Sequence, residues 1–325
     1  MPATATHAFF ALDIYDLLDE DDKALLKNHI GKLKMYAQSM DPISFFNIAN
    51  LRRGKDVRAF QGYFHTNKSR EYFKTLVNYI KDHKLKNDPE IISFLYGAIC
   101  HYCLDSIVHP YVYYKTGYLD KNDPDTYKYN GVHNFMEAFI DNDMIRRRFN
   151  VNPYNYNISD FCFDITPFSE DFNDLLDNVF KDVFHVNHMS DYYYVCLKQM
   201  KKCIKWYRQD RTGIKRFFYK LIDTFTPKYA FRFEPVSYHY PLEDRHNFLN
   251  SNHDVWYNPA DLSIKSNKSF IELYLDALEE ANGIIKDVKK YLNGKRVNLD
   301  KVFTNKSYVT GLDCDMPIDF KAFQF

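Results

Sequence analysis

Between Asp88 and Pro110 the chain reads DPEIISFLYGAICHYCLDSIVHP, apolar around nearly every face of a helix. Such a stretch belongs at the centre of a helical cluster, because a helix without a polar face must be surrounded by others. Asp88-Pro89-Glu90 is a start signal: a capping acid, proline in the first turn, then a second acid. His109-Pro110 predicts the end. Composition agrees. Ten glycines in 325 residues, about 3 % against an ordinary ~7 %, leave few for sheet turns or a glycine-rich phosphate loop.

The same patterning predicts helices over 7–18, 21–39, Ser69 to about Lys84, 131–148, 170–183, 190–208, 211–224 and 269–292. The second should stop before Asp41-Pro42, with Asp41 at a helix end or in a loop. The last is expected to be capped by Ser266 or Asn267 and closed by Asn293-Gly294. Residues 226–265 hold Pro227, Pro235, Pro241 and Pro259 and read as a long irregular segment, with 228–240 as the strand candidate. The tail 295–325 shows no pattern. The expectation is one all-α domain over 1–325, a helical metal-binding core at 1–150 and a helical extension at 151–325.

No run of about 18 apolar residues predicts a membrane span. Residues 1–12 lack the charge and apolar core of a signal peptide. Cys100, Cys103, Cys162, Cys196, Cys203 and Cys314 have no framework spacing. Together these predict a cytoplasmic protein. Forty-three basic residues balance forty-three acidic ones, which argues against polymeric nucleic acid as a partner.

The central helix carries His101, Asp105 and His109 at successive four-residue steps. At 100° per residue they fall within an arc of about 80°. The helix after it carries His133 and Glu137, again four apart. Single core histidines are usually satisfied by a local hydrogen bond. A carboxylate buried between two imidazoles is costly, however, unless paired or metal-bound. Imidazole and carboxylate without thiolate suit Zn²⁺ best, and also Fe, Mn or Co.

The segments THAFFALDIYDLL, MDPISFF, GYFHTNKS, GAICHYCLDSIVHPYV and HNFMEAFID, in that order over about 5–145, resemble the zinc-dependent bacterial phospholipase C family. SNHDVWYNPAD and the helix after it resemble the C-terminal region of intracellular relatives. The resemblance implies an all-α fold around two or three zinc ions, an architecture shared with fungal single-strand nucleases. It implies that Asp41, His65, His101 and Asp105 hold one zinc, that His109, His133 and Glu137 hold a second, and that His7 belongs to a third bridged by Asp105. Secreted members add ligands from an N-terminal tryptophan, whereas this chain begins Met-Pro-Ala-Thr. Two metals about 3.5–4 Å apart would grip a phosphate while a metal-activated water attacks, with Asp41 as ligand or general base.

Other features carry blander readings. Cys100 and Cys103 read as buried apolar residues. Phe45, Phe46, Tyr63, Phe64, Tyr111, Tyr113 and Tyr114 read as helix packing before a cation–π box. Arg52, Arg53, Lys55 and Arg58 read as a solvated turn before a phosphate site. His185 and His188 read as surface or capping residues. His239, His246, His253 and Trp256 have spacing too irregular to assign. The leading function is a phosphoesterase acting on a small phosphoester or phospholipid headgroup, with peripheral membrane contact. The alternatives are a nuclease or nucleotide phosphatase of the same fold, and a metal-stabilised scaffold without turnover.

Overall fold

The computed structural model describes residues 4–48, 54–207, 209–238, 244 and 246–324. Among them are thirteen α-helices and a single two-stranded antiparallel sheet, so the chain is all-α. The first helices are α1 (Thr4–Leu17), α2 (Glu20–Leu26), α3 (Ile30–Tyr36), α4 (Lys55–Thr66) and α5 (Ser69–Asp82). The central α6 (Pro89–Thr116) is followed by α7 (Val132–Phe149), α8 (Ile158–Cys162), α9 (Glu170–Phe184), α10 (Met189–Tyr207) and α11 (Ile214–Phe225). Strands β1 (Trp256–Asn258) and β2 (Asp261–Ser266) precede α12 (Phe270–Leu292) and α13 (Leu299–Val302).

Helix α6 is the axis, buried along almost its whole length. Its Asp88 cap accepts from Glu90 N and Ile91 N, both at 2.9 Å. Helices α12, α3, α1 and α7 pack around it. By composition α6 is long and apolar enough to cross a membrane. The sequence expectation of no such stretch is therefore corrected: His101 and Asp105 interrupt the run without lowering its average enough. That stretch is 94 % buried by its own neighbours, as a core helix should be.

Glycine at 97 sets how closely α3 can approach. A Cβ there would lie 2.6 Å from the Tyr36 carbonyl carbon and 2.8 Å from Ala37 N. The C-terminus of α3 therefore rests directly on α6, one turn before His101. The approach is braced by Glu90, whose carboxylate pairs with the Lys32 ammonium of α3. It also accepts from Tyr36 Oη at 2.9 Å and Ser169 N at 3.1 Å.

Several boundaries differ from expectation. The 21–39 segment is two helices, broken near His29, whose φ of −120° and ψ of 13° leave the helical region. Proline 110 does not end α6, which runs on to Thr116. Proline removes the donor that Ser106 O would have met. Glycine 311 fills the gap, so close that a Cβ there would lie 2.4 Å from that oxygen. The cap of α12 is Ser269, in a reciprocal capping box with Glu272, rather than Ser266 or Asn267. Among the described residues of 228–240 there is no strand, only an isolated bridge from Tyr238 to Gln209. Helix α4, absent from the sequence reading, carries His65.

Candidate metal centre

Five elements deliver the predicted residues to one place. His7 comes from α1, Asp41 from the first position of a 3₁₀ turn (Asp41–Phe45), and His65 from the last turn of α4. His101, Asp105 and His109 come from α6, and His133 and Glu137 from α7. They form three groups whose donor atoms could hold metal ions: His7–His101–Asp105, Asp41–His65–His101 and His109–His133–Glu137.

The ring orientations follow from main-chain carbonyls. His65 Nδ1 lies 2.7 Å from Gln61 O, His101 Nδ1 3.0 Å from Ala37 O, and His109 Nδ1 2.7 Å from Tyr308 O. A carbonyl can only accept, so each Nδ1 donates and each neutral ring turns its Nε2 lone pair elsewhere. The Nε2 atoms of His65 and His101 then face one another at 3.2 Å. Two lone pairs at that distance repel unless a cation or a shared proton lies between them.

Asp105 sits at the junction of the groups. Its Oδ1 is 3.2 Å from His7 Nε2. Its Oδ2 is 3.1 Å from His101 Nε2, 3.5 Å from His109 Nδ1 and 3.8 Å from His65 Nε2, yet it is a buried oxygen without a hydrogen-bond partner. Asp41 is fully buried. Its Oδ1 accepts from Gln61 Nε2 at 2.9 Å and lies 3.2 Å from His65 Nε2; its Oδ2 has no hydrogen-bond partner. In the third group, His133 Nε2 is 2.8 Å and His109 Nε2 3.8 Å from Glu137 Oε1.

The charges are mutually dependent. Burial alone would raise the Asp105 carboxyl, but His101, His109 and His7 hold it well below the carboxylate range. Asp41 is likewise lowered, burial being outweighed by His101 and His65. Burial opposes protonation of His109, yet Asp105 and Glu137 lift it to about 9. Burial lowers both His7 and His133. Ionised carboxylates buried among imidazoles require positive charge between them. The all-nitrogen-and-oxygen donor set fits zinc.

A second tier was missed from the sequence. Asp141, one turn beyond Glu137, accepts from Ala5 N at 3.0 Å and from Thr6 N and Thr6 Oγ1 at 2.8 Å. It also accepts from Tyr238 Oη. A carboxylate from α7 thus holds the N-terminus of α1 beside His7, where the helix dipole favours an anion. The continued four-residue step from His133 through Glu137 was the available signal. Tyr113 lies 4.9 Å from the His133 ring, and Phe320 stacks on it at 5.0 Å.

The remaining candidates stand apart. Phe45, Phe64 and Tyr111 are core residues. Phe46 packs on Tyr192, Tyr63 on Phe60 and Tyr114 on Tyr257. Arg58 donates to Phe46 O at 2.7 Å. Arg52, Arg53 and His239 lie outside the described residues. His185 is the left-handed C-cap of α9, and His188 also has positive φ. His246 packs on Phe248, His253 lies 3.1 Å from Asn267 O, and Trp256 donates to Lys268 O. The Cys100 and Cys103 thiols are pushed up by burial, as befits inert core residues.

No curated protein and no solved structure matches the chain. The family described as zinc dependent phospholipase C matches residues 6–186, more than half the sequence and every residue of the three groups. The match ends before the 251–261 segment whose wording resembled intracellular relatives. Donor set and match agree: the chain belongs to the zinc-dependent phospholipase C family, a family of metal-dependent phosphoesterases.

Proposed function

We propose that the protein is a zinc-dependent hydrolase of a small phosphodiester or phosphomonoester, the phospholipid headgroup being the leading substrate class. The observation that carries this reading is the opposed pair of His65 and His101 Nε2 atoms, 3.2 Å apart, beside the unpartnered oxygens of Asp41 and Asp105. Asp41, His65 and His101 would hold one ion and His109, His133 and Glu137 another, with Asp105 between them. His7 and Asp105 would hold a third ion. Zinc bound there supplies positive charge for phosphate oxygens and a water acidified toward a pKa of ~7.

The chain's own residues do the rest. Gln61 fixes one oxygen of Asp41 and leaves Oδ2 either to ligate the ion or to accept a proton from the attacking water. The carbonyls of Gln61, Ala37 and Tyr308 prevent the three rings from turning, so the donor atoms are set before substrate arrives. His133 is the most open of the set, with a side chain 20 % exposed. It marks the side from which a headgroup enters, along the wall of Tyr113 and Phe320.

The test is zinc content with a substrate screen. At least two zinc per chain and hydrolysis of p-nitrophenylphosphorylcholine, both lost in His101→Ala, support the reading. Less than one zinc after full supplementation overturns it. Turnover of 3′-nucleotides alone would move the substrate to nucleotides. A blank phosphoester screen with a melting temperature that falls on chelation would make the centre a structural one.

A further inference from the structure

Helix α11 is mounted the wrong way round for a core helix. On a helical wheel, Ile214, Phe217, Phe218, Leu221, Ile222 and Phe225 span an arc of roughly 140°. All six are exposed, Phe217 to 65 % and Phe225 to 81 %. The opposite side faces the protein. There Asp223 accepts from Phe233 N at 2.9 Å and Glu234 N at 2.8 Å, Arg216 pairs with Glu234 at 3.1 Å, and Tyr219 packs on Phe233. The polar face thus docks while the apolar face looks outward, the reverse of the usual arrangement. A contiguous apolar patch of this kind marks an interaction surface.

Its surroundings say which partner. Residues 198–232 contain eleven basic and two acidic residues, a net of +9, in a chain whose total is zero. Lys215 and Lys220 flank the apolar arc on its two sides by the same wheel arithmetic. Lys215 donates to Trp206 O at 2.6 Å, and Trp206 is itself 69 % exposed. An outward apolar face rimmed by lysines with a tryptophan beside it is the chemistry of a helix lying in the interface of an anionic bilayer. Nucleic acid would use the charge and leave six apolar side chains without a role.

We propose that α11, with Trp206 and the basic residues around it, docks the protein on an anionic lipid surface. The mount of this surface touches the helix that carries His133 and Glu137. The turn Glu234–Val236 that holds α11 packs Pro235 against Gly131, the N-cap of α7, two residues before His133. The docking itself requires no turnover, so it stands or falls separately from the hydrolase reading.

The zinc-loaded protein should be sedimented with vesicles of phosphatidylcholine alone and with about 30 % phosphatidylserine. Trp206 reports directly, because Trp256, the other tryptophan, is buried. The expected result is binding to the anionic vesicles only, with a blue-shifted Trp206 emission, reversed at about 0.5 M salt. The pair Phe217→Gln and Phe225→Gln should weaken binding at least tenfold. The pair Lys215→Gln and Lys220→Gln should weaken it about twenty-fivefold, since each charge near the surface is worth about fivefold. Zinc content and melting temperature should stay as in wild type for both. Absence of wild-type binding, or binding unchanged by the phenylalanine pair, overturns the proposal. So does a wild-type dimer by light scattering that the phenylalanine pair converts to monomer, which would make the face a contact between copies.

Discussion

The two ends of the centre are built differently. At the inner end, His101 and Asp41 are fully buried and His65 nearly so, and the His65 and His101 rings are each fixed by a main-chain carbonyl. At the outer end, His133 keeps a fifth of its side chain open, and its Nδ1 has no hydrogen-bond partner. Burial makes the inner donors part of the fold: removing one leaves buried charges unpaired. His133 can serve chemistry with little structural cost. Inner substitutions should therefore move stability and activity together, a substitution of His133 activity alone.

The largest effect belongs to Asp105→Ala, which touches every group. Its zinc content should fall by at least one ion, and folding stability by about 4 kcal/mol under zinc at a thousandfold its dissociation constant. Retained zinc and an unchanged melting temperature would show that Asp105 is not the junction. Gly97→Ala tests the inner end without touching a donor. The overpacked contact with Tyr36 should cost about 1–3 kcal/mol and weaken zinc binding about tenfold by shifting the Ala37 carbonyl. Zinc titration against wild type would show whether that carbonyl matters.

Glu90→Gln sharpens the same point through pH. Burial raises the Glu90 carboxyl, but Lys32 and Ser169 outweigh this and hold it low. A lowered folded pKa adds stability above the unfolded value of about 4.3, lost as pH falls through the folded pKa. Chelated wild type should exceed chelated Glu90→Gln by about 1.5 kcal/mol at pH 7, and the two should converge in acid. A gap that persists once the pH has fallen below the lowered folded pKa of the wild-type carboxyl would remove charge from the explanation. The smallest stability effect is expected at the outer end. His133→Ala should abolish hydrolysis while changing the stability of the chelated protein by no more than about 1 kcal/mol, and a large fall in the melting temperature of that chelated protein would erase the distinction between the two ends.

What was legible in the sequence was whatever lies within one helix. His101, Asp105 and His109, then His133 and Glu137, declare themselves because four residues are about one turn. His7, Asp41 and His65 arrive from three other elements, and only family resemblance pointed to them. The carbonyls of Ala37, Gln61 and Tyr308 were illegible in principle, since every residue has one and only the fold decides which is aimed. Pro110 misled because the rule that it breaks helices assumes an isolated helix, and here Gly311 lies against the carbonyl it strands. Residues 228–240 were the strand candidate. In the fold, Phe233 instead packs on Tyr219 of α11, and Tyr238 reaches Asp141.

The hydrogen bond from His109 Nδ1 to Tyr308 O spans 199 residues. During synthesis at about 5–20 residues per second, His109 would wait tens of seconds for that carbonyl. Until then nothing from the later chain fixes its ring. A chain cut short before residue 308 would carry all eight proposed donors and still lack one of the three restraints that aim them. Completion of the centre is in this sense a late event, and the tail that showed no pattern in the sequence is where the nascent protein becomes able to hold its metals in order.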